Sequence, residues 1–435
     1  MKKDLAVIIL AAGKGVRMKS KVVPKVLHLI AGRPMLGYVI DLARSLKPKF
    51  EICVLGHKSE LVRDFIKKHK DTVRIVIQKR LLGSADAVKQ VRSILRNFKG
   101  TVLVLYADTP LLNVQTVKRL IRHHQRTNAE ATLLVANLDK PTGYGRIIRD
   151  NSHNISRIVE EIQANDYEKD IKEINTGIAC YNRERLFWAL NRVKLNSLKK
   201  EYYLTDVIQI LSKQRALIEF LRLEDPLEAT GINKQADLSQ AEKAMQQRLL
   251  NALINKGVRI IDPESTRVCW DTQIEMGTIV FPFTVIESNV KIGKDCRIGP
   301  FCHLREGVVM QDNSKVGNFV EVVRSKISRG AVARHFCYLG DSRIGKKVNI
   351  GAGTVTANFD GKKKSVTIIE DKAFIGSDTV LVAPVKVGSH ARTGAGSVVT
   401  KRKDVAPNTT VVGVPAKPLR KVKGKRDKKN KTYNL

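Results

Sequence analysis

From Val268 onward an aliphatic residue returns at every sixth position: Ile274, Val280, Ile286, Ile292, Ile298, Leu304, Met310, Val316 and Val322 follow without a miss. That period matches neither the helical repeat of about 3.6 residues nor the alternation of about two in an ordinary strand. It fits a parallel β-helix of hexapeptide repeats, in which each hexad is one short face of a triangular coil and its aliphatic residue points to the axis. After a jump of ten residues the count resumes at Val332, Tyr338, Ile344, Ile350 and Thr356. A loop over 357–366 intervenes, and Ile369, Ile375, Leu381, Val387, Thr393, Val399, Val405 and Val411 complete it. The repeat dictates the fold of the second half and says nothing by itself about activity.

The first half has a different grammar. Apolar runs over 5–10, 51–55, 73–78, 101–106 and 131–136 alternate with helical periodicity over 38–46, 60–68, 85–97 and 114–125. This βαβα order predicts an α/β domain of doubly wound, Rossmann-like type with a parallel sheet, binding its ligands beyond the carboxyl ends of the strands. Just there, after the first strand, stands Leu10-Ala11-Ala12-Gly13-Lys14-Gly15-Val16-Arg17, with Pro24-Lys25 beyond. Glycines let backbone N–H groups approach an anion, and Lys14, Arg17 and Lys25 add positive charge. The spacing fits neither the P-loop nor the dinucleotide fingerprint, which needs a glycine where Met18 stands. A nucleoside triphosphate cradle is the expectation, against an ordinary tight turn with solvated cations.

Further polar residues fall at the other strand ends. Asp108 is placed to hold Mg²⁺, or else to cap a helix. Gln78 offers an amide that can read a base edge by paired donor and acceptor, or else is a surface strand end. Islands at 143–146, 159–161, 173–177, 201–206 and 231–233 carry the Gly, Asn, Glu and Tyr that line a sugar-phosphate pocket. Helical spacing from Lys234 to Lys256, with Gly257 as C-cap, marks a connecting helix. The expected division is a nucleotidyltransferase domain over 1–233, a linker helix over 234–257, the β-helix over 258–416 and a basic, disordered tail over 417–435.

A formal charge of +36 invites a nucleic-acid reading. The Lys and Arg are scattered over both halves, and aromatics make up only 5% of the chain, too few for base-stacking platforms. No specific nucleic acid is therefore expected, and the charge is read as a surface bias that attracts phosphorylated substrates. No apolar run approaches the length of a membrane span, and the six cysteines show no C-x-x-C spacing, which suits free core thiols in a reducing cytoplasm.

Over nearly the whole chain these motifs resemble the family of bifunctional N-acetylglucosamine-1-phosphate uridylyltransferase / glucosamine-1-phosphate N-acetyltransferases of bacterial cell-envelope synthesis. The resemblance rests on 10–17 with Pro24 to His28, on Gly143-Tyr144-Gly145-Arg146, on 173–177 and Glu201-Tyr202-Tyr203, and on Val348-Asn349-Ile350-Gly351-Ala352-Gly353 within the hexad array. For the first half it implies transfer of UMP from UTP to N-acetylglucosamine 1-phosphate. Leu10, Ala11, Gly13, Gln78, Gly83 and Ser84 would hold the nucleotide, Arg17 and Lys25 the reacting phosphates, Gly145, Glu160 and Asn175 the sugar, and Asp108 and Asn233 Mg²⁺. For the second half it implies acetyl transfer from acetyl-CoA to glucosamine 1-phosphate, with His335 as general base. Arg305, Tyr338, Asn349 and Lys364 would bind the amino-sugar phosphate; Ala352, Asn358, Phe359, Ser377 and Ala395 would surround the acetyl group and CoA. It further implies a left-handed β-helix, a cytoplasmic homotrimer with the acetyl site between subunits, and no membrane insertion.

The chain departs from that pattern at several positions. Ala107 replaces a glycine, Asp86 a histidine and Phe359 a tyrosine; Val323 stands where the family has a phosphate-binding lysine, and Gly413 where some members have an arginine. The array is also about one coil shorter. Two alternatives stay open at this point: a monofunctional sugar-1-phosphate nucleotidylyltransferase with a structural or regulatory β-helix, and a basic nucleic-acid scaffold with a dead pocket.

Overall fold

The computed structural model describes residues 4–20, 22–69, 73–197 and 200–419, and the chain divides into two units, Met1–Met245 and Gln246–Leu435. In the first unit nine strands form one sheet: β1 (Leu5–Ala11), β2 (Phe50–Leu55), β3 (Arg74–Ile77), β4 (Thr101–Tyr106), β5 (Ala131–Asn137), β6 (Gly145–Arg149), β7 (Ile155–Val159), β8 (Glu173–Asn182) and β9 (Ile218–Arg222). β1 lies between β4 and β2, parallel to both. Both its faces are covered: Val7 and Ile9 pack with Leu36, Val39 and Ile40 of one helix, Ile8 and Leu10 with Val88, Val91 and Leu95 on the other side. Burial on two faces is why such strands read as unbroken apolar runs.

The sheet is not wholly parallel. β8 runs antiparallel between β4 and β5, and the β6–β7 hairpin hangs from its first half. Its polar start, Glu173 to Gly177, reads in sequence as a loop island, yet Ile178 to Tyr181 is as buried as any core strand. The helix expected over 85–97 spans only Ser84–Lys89. Beyond it the amides of Val91 and Arg92 reach only three residues back, to Val88 and Lys89; the inward spacing of Val91 and Leu95 persists through the tighter turns.

In the second unit the strands form three parallel sheets of ten, eight and seven strands, closing at the C-terminal end with one antiparallel pair. Val268 stacks on Ile286, Ile286 on Leu304 and Leu304 on Val322, so three hexads make one turn of a β-helix. Where the sequence suggests a jump of ten residues, the axis is instead filled by Ile327, Ala333 and Leu339, all at most 2% exposed. Two corners, Val322 to Ile327 and Leu339 to Ile344, take five residues instead of six, which moves the frame by one. Alanine at 333 is a weaker apolar signal than Val332 beside it, so the eye falls on the wrong residue. The shift turns Tyr338 off the axis and onto the surface of its sheet.

The helix Gln235–Asn255 is followed by Gly257 with φ +87°, a conformation that favours glycine. Lys417–Pro418 pairs antiparallel with Val411–Val412, so the segment expected to be a disordered tail begins as a strand; 420–435 lies outside the described residues. No helix among those described is long and apolar enough to cross a membrane.

Candidate active sites

At the carboxyl edge of β1, β3 and β4 lies a pocket of about 670 Å³. It gathers every nucleotide and phosphate residue expected from the sequence: Leu10, Ala11, Gly13, Arg17, Lys25, Gln78, Gly83 and Ser84, with Asp108, Glu160 and Asn233. A Cβ on Gly13 would meet nothing within 4 Å, so the loop leaves room for a ligand there. Gly15, at φ +63°, is needed for another reason: a Cβ would stand 2.5 Å from that of Lys25. Its absence lets the Lys25 segment close on the loop.

Lys25 pairs with the Asp108 carboxylate and donates to Asn233 Oδ1 at 2.8 Å; Arg17 donates to that same oxygen at 2.8 Å. Two cations thus meet one carboxylate and one amide oxygen. Asp108 does not cap the next helix, Val114–Thr127; Asn113 does, accepting from the amide of Gln115 at 2.8 Å. Gln78, 3% exposed, is no surface strand end. Both hydrogens of its amide are engaged by the protein, on Gly83 O at 3.0 Å and Asp86 Oδ2 at 2.7 Å. The expected paired donor and acceptor is corrected by this: only the carbonyl oxygen remains to meet a base.

Of the residues expected to hold the sugar, Glu160 lines this pocket and Gly145 and Asn175 do not; these two face each other across β6 and β8, and a Cβ on Gly145 would lie 3.8 Å from the Glu160 carboxylate. Burial raises the Glu160 carboxyl above its ordinary range, although Thr205 donates to it at 2.8 Å. Tyr106 and Thr205 were not among the sequence candidates. Tyr106 lines the pocket at the end of β4, the position that also singled out Gln78, and burial raises its phenol; Thr205 sits inside an island whose tyrosines draw attention first.

Asp206 is pushed up to about 6, by burial first and by Glu160 second. A folded-state value above the unfolded one favours folding at low pH, and that contribution is lost as pH rises through about 6. Asp206→Asn is therefore expected to raise the melting temperature at pH 8 relative to the parent, with a smaller gain at pH 5. Thermal melts at the two pH values check this; equal shifts would refute it.

In the second unit a groove of about 640 Å³ is lined by Arg334, His335, Phe336, Asn349, Ala352, Phe374 and Ser377, among others. It brings together His335, Asn349, Ala352 and Ser377 from the expected set. His335 is exposed in the turn after the strand Val332–Ala333, and among the described residues nothing holds its ring nitrogens.

Of the remaining candidates, Arg305, Tyr338 and Asn358 lie in or just after strands of the adjoining sheet, Phe359 and Lys364 in the loop after it, and Ala395 beside Gly376 in the corner next to Ser377. Tyr338 lies in the strand Cys337–Gly340, and its phenol adds to the electrostatic environment of both Arg305 and Arg324. Arg324 grips Asp341 through Nε and one terminal nitrogen at 2.7 and 2.8 Å. Asn358, 7% exposed, donates to the same carboxylate. Arg324 first, then Asn358 and the charge of Lys364, hold the Asp341 carboxyl below its usual range. Val323 is 3% exposed and offers nothing to solvent. Arg324, at φ +44° in the five-residue corner, instead carries its cation to Asp341. Phe359 pairs with Lys364 across a small bridge; neither it nor Ala395 lines the His335 groove.

Residues 7–168 match the family model of the MobA-like NTP transferase domain; 271–306, 289–324 and 367–401 match that of the bacterial transferase hexapeptide (six repeats). The chain is 39% identical over 441 residues to the bifunctional protein GlmU of Prochlorococcus marinus, an alignment covering 94% of this chain and 97% of the relative. It is 40% identical to that of Thermotoga maritima, covering 93% and 95%, and 38% identical to that of Syntrophomonas wolfei, covering 94% and 97%. The chain belongs to the bifunctional GlmU family. The alignments run over nearly the whole of each relative, so the pocket of the first unit and the β-helix groove both fall within the matched chain.

Proposed function

We propose that the chain makes UDP-N-acetylglucosamine in two steps, acetyl transfer to glucosamine 1-phosphate and then uridylyl transfer to N-acetylglucosamine 1-phosphate. One observation carries this reading: a phosphate cradle of Arg17, Lys25, Asp108 and Asn233 and a histidine-bearing groove on a hexapeptide helix occur in a single chain that spans 97% of a GlmU relative.

In uridylyl transfer a phosphate oxygen of the sugar attacks the α-phosphorus of UTP. The new O–P bond forms as the bond to the β-phosphate breaks, and pyrophosphate leaves. The nucleophile is already an anion, so alignment and charge neutralisation matter more than a base. Arg17 and Lys25 supply cations. Leu10, Ala11, Gly13, Gln78, Gly83 and Ser84 hold the nucleotide, and Gly145, Glu160 and Asn175 the sugar. Asp108 and Asn233 would hold Mg²⁺: they present hard oxygen donors that a single ammonium group already bridges. Bound there, the metal supplies further positive charge to the phosphates.

In acetyl transfer the sugar amine attacks the thioester carbon. A C–N bond forms, the C–S bond breaks, and His335 takes the amine proton and passes it to the departing thiolate, so that CoA leaves as the thiol. Asn349, Ala352 and Ser377 share the groove with His335; Arg305, Tyr338 and Lys364 hold the substrate phosphate, with Asn358, Phe359 and Ala395 around CoA. Arg324 supplies the charge that Val323 lacks. Arg324→Ala is thus expected to raise KM for glucosamine 1-phosphate about tenfold, with KM for acetyl-CoA within about twofold. CoA-release kinetics check this, and an unchanged sugar KM would remove Arg324 from the site.

The two groups of acetyl-site residues lie on neighbouring faces of one β-helix, which supports a site completed by another copy in a cytoplasmic homotrimer. Phe283, Phe301 and Phe319 add an exposed stacked ladder along one edge, with ring centroids 4.7 and 5.0 Å apart, an apolar strip of the kind that copies cover. The test is two assays on one preparation: pyrophosphate release from UTP with N-acetylglucosamine 1-phosphate, and CoA release from acetyl-CoA with glucosamine 1-phosphate. Turnover in the first alone would reduce the β-helix to a scaffold.

A further inference from the structure

Gln78 follows directly on β3, buried in the wall of the nucleotide pocket. Its Nε2 donates to Asp86 Oδ2 at 2.7 Å and to Gly83 O at 3.0 Å. A carboxylate and a peptide carbonyl only accept. Turning the amide over would set its carbonyl oxygen against two acceptors and strip both hydrogens of partners, so its orientation follows from the chemistry of its neighbours. Asp86 is itself braced by Gln90, whose Nε2 reaches Asp86 Oδ1 and the Asp86 carbonyl, each at 3.3 Å. What Gln78 leaves for a ligand is Oε1 alone.

We propose that Asp86 is a positioning residue for base selection: it locks Gln78 as a pure acceptor, so that the pocket takes a pyrimidine with a ring N–H and rejects one with a ring lone pair. The inference rests on the uridylyl-transfer reading and adds to it how uracil is told from cytosine. Uracil N3 carries a hydrogen that Oε1 can accept, whereas cytosine N3 carries a lone pair. An unconstrained glutamine would relieve that clash by flipping and donating. Here the flip is blocked, and the wrong base leaves a buried acceptor facing an acceptor.

The test is pyrophosphate release with UTP and with CTP for the parent and for Asp86→Asn, Asp86→Ala and Asp86→Glu. The parent should prefer UTP strongly. In Asp86→Asn the new amide can present either end, so Gln78 can turn. The ratio of kcat/KM for UTP over CTP should then fall roughly 10- to 100-fold, in large part through a gain with CTP. Asp86→Ala should lower it less, because Gly83 O still holds one hydrogen, and Asp86→Glu should restore part of it. Calorimetric binding of the two nucleotides reads the same ratio in any variant too slow to assay. Equal losses with both nucleotides, the ratio unmoved in Asp86→Asn and Asp86→Ala, would make Asp86 merely structural and overturn the inference while leaving uridylyl transfer standing. A parent that turns over neither nucleotide would overturn both.

Discussion

Asp108→Asn is expected to lower kcat/KM for uridylyl transfer by about 10²- to 10³-fold and to leave CoA release within about twofold of the parent. The carboxylate does two things that an amide cannot. It gives Lys25 an anionic partner, and it offers a metal a charged oxygen beside that of Asn233. Asparagine preserves the shape of the side chain, so the loss measures charge and not packing. The two losses separate in a Mg²⁺ titration. If the metal assignment holds, half-saturation moves to higher Mg²⁺ and part of the rate returns at high concentration. If only the ion pair matters, the rate stays low at every concentration. Uridylyl transfer at the parental rate would dismiss both roles.

How much of this was legible in the sequence depended on whether a residue's signal was periodic, positional or relational. The hexads from Val268 to Val322 announced the β-helix because every axis residue was a large aliphatic; the frame was lost where the corners shortened and Ala333 took an axis place. β1 and the loop after it were legible by position, since a buried parallel strand ends at the sheet edge where the pocket opens. Gln78 and Asp108 were expected at that edge for the same reason, and both line the pocket. What could not be read was which partner each would face. That Gln78 spends its donors on Gly83 and Asp86, or that Arg324 turns onto Asp341, follows from one short helix and one five-residue corner, and neither leaves a pattern in composition. β8 was missed for a related reason: a polar first half and an apolar second half look like a loop followed by something else, although one strand can line a pocket at one end and fill a core at the other.

His335→Ala should reduce CoA release by about 10²- to 10⁴-fold, the range of a lost general base, and leave pyrophosphate release within about twofold. The ring is exposed at the groove, and among the described residues nothing occupies its nitrogens, so a lone pair is free to take the amine proton. Removing an exposed side chain opens no cavity in the column of aliphatics that holds the coils together, so the variant should melt within a few degrees of the parent. Added imidazole should restore part of the rate, since a small base can enter the space the side chain leaves. Rescue distinguishes proton transfer from mere positioning: a residue that only shapes the groove would be missed equally with or without imidazole, while KM for acetyl-CoA would rise. If the variant releases CoA at the parental rate, the proton goes elsewhere. The groove then binds, and the chemistry must be sought among Tyr338, Arg305 and Lys364 on the adjoining face.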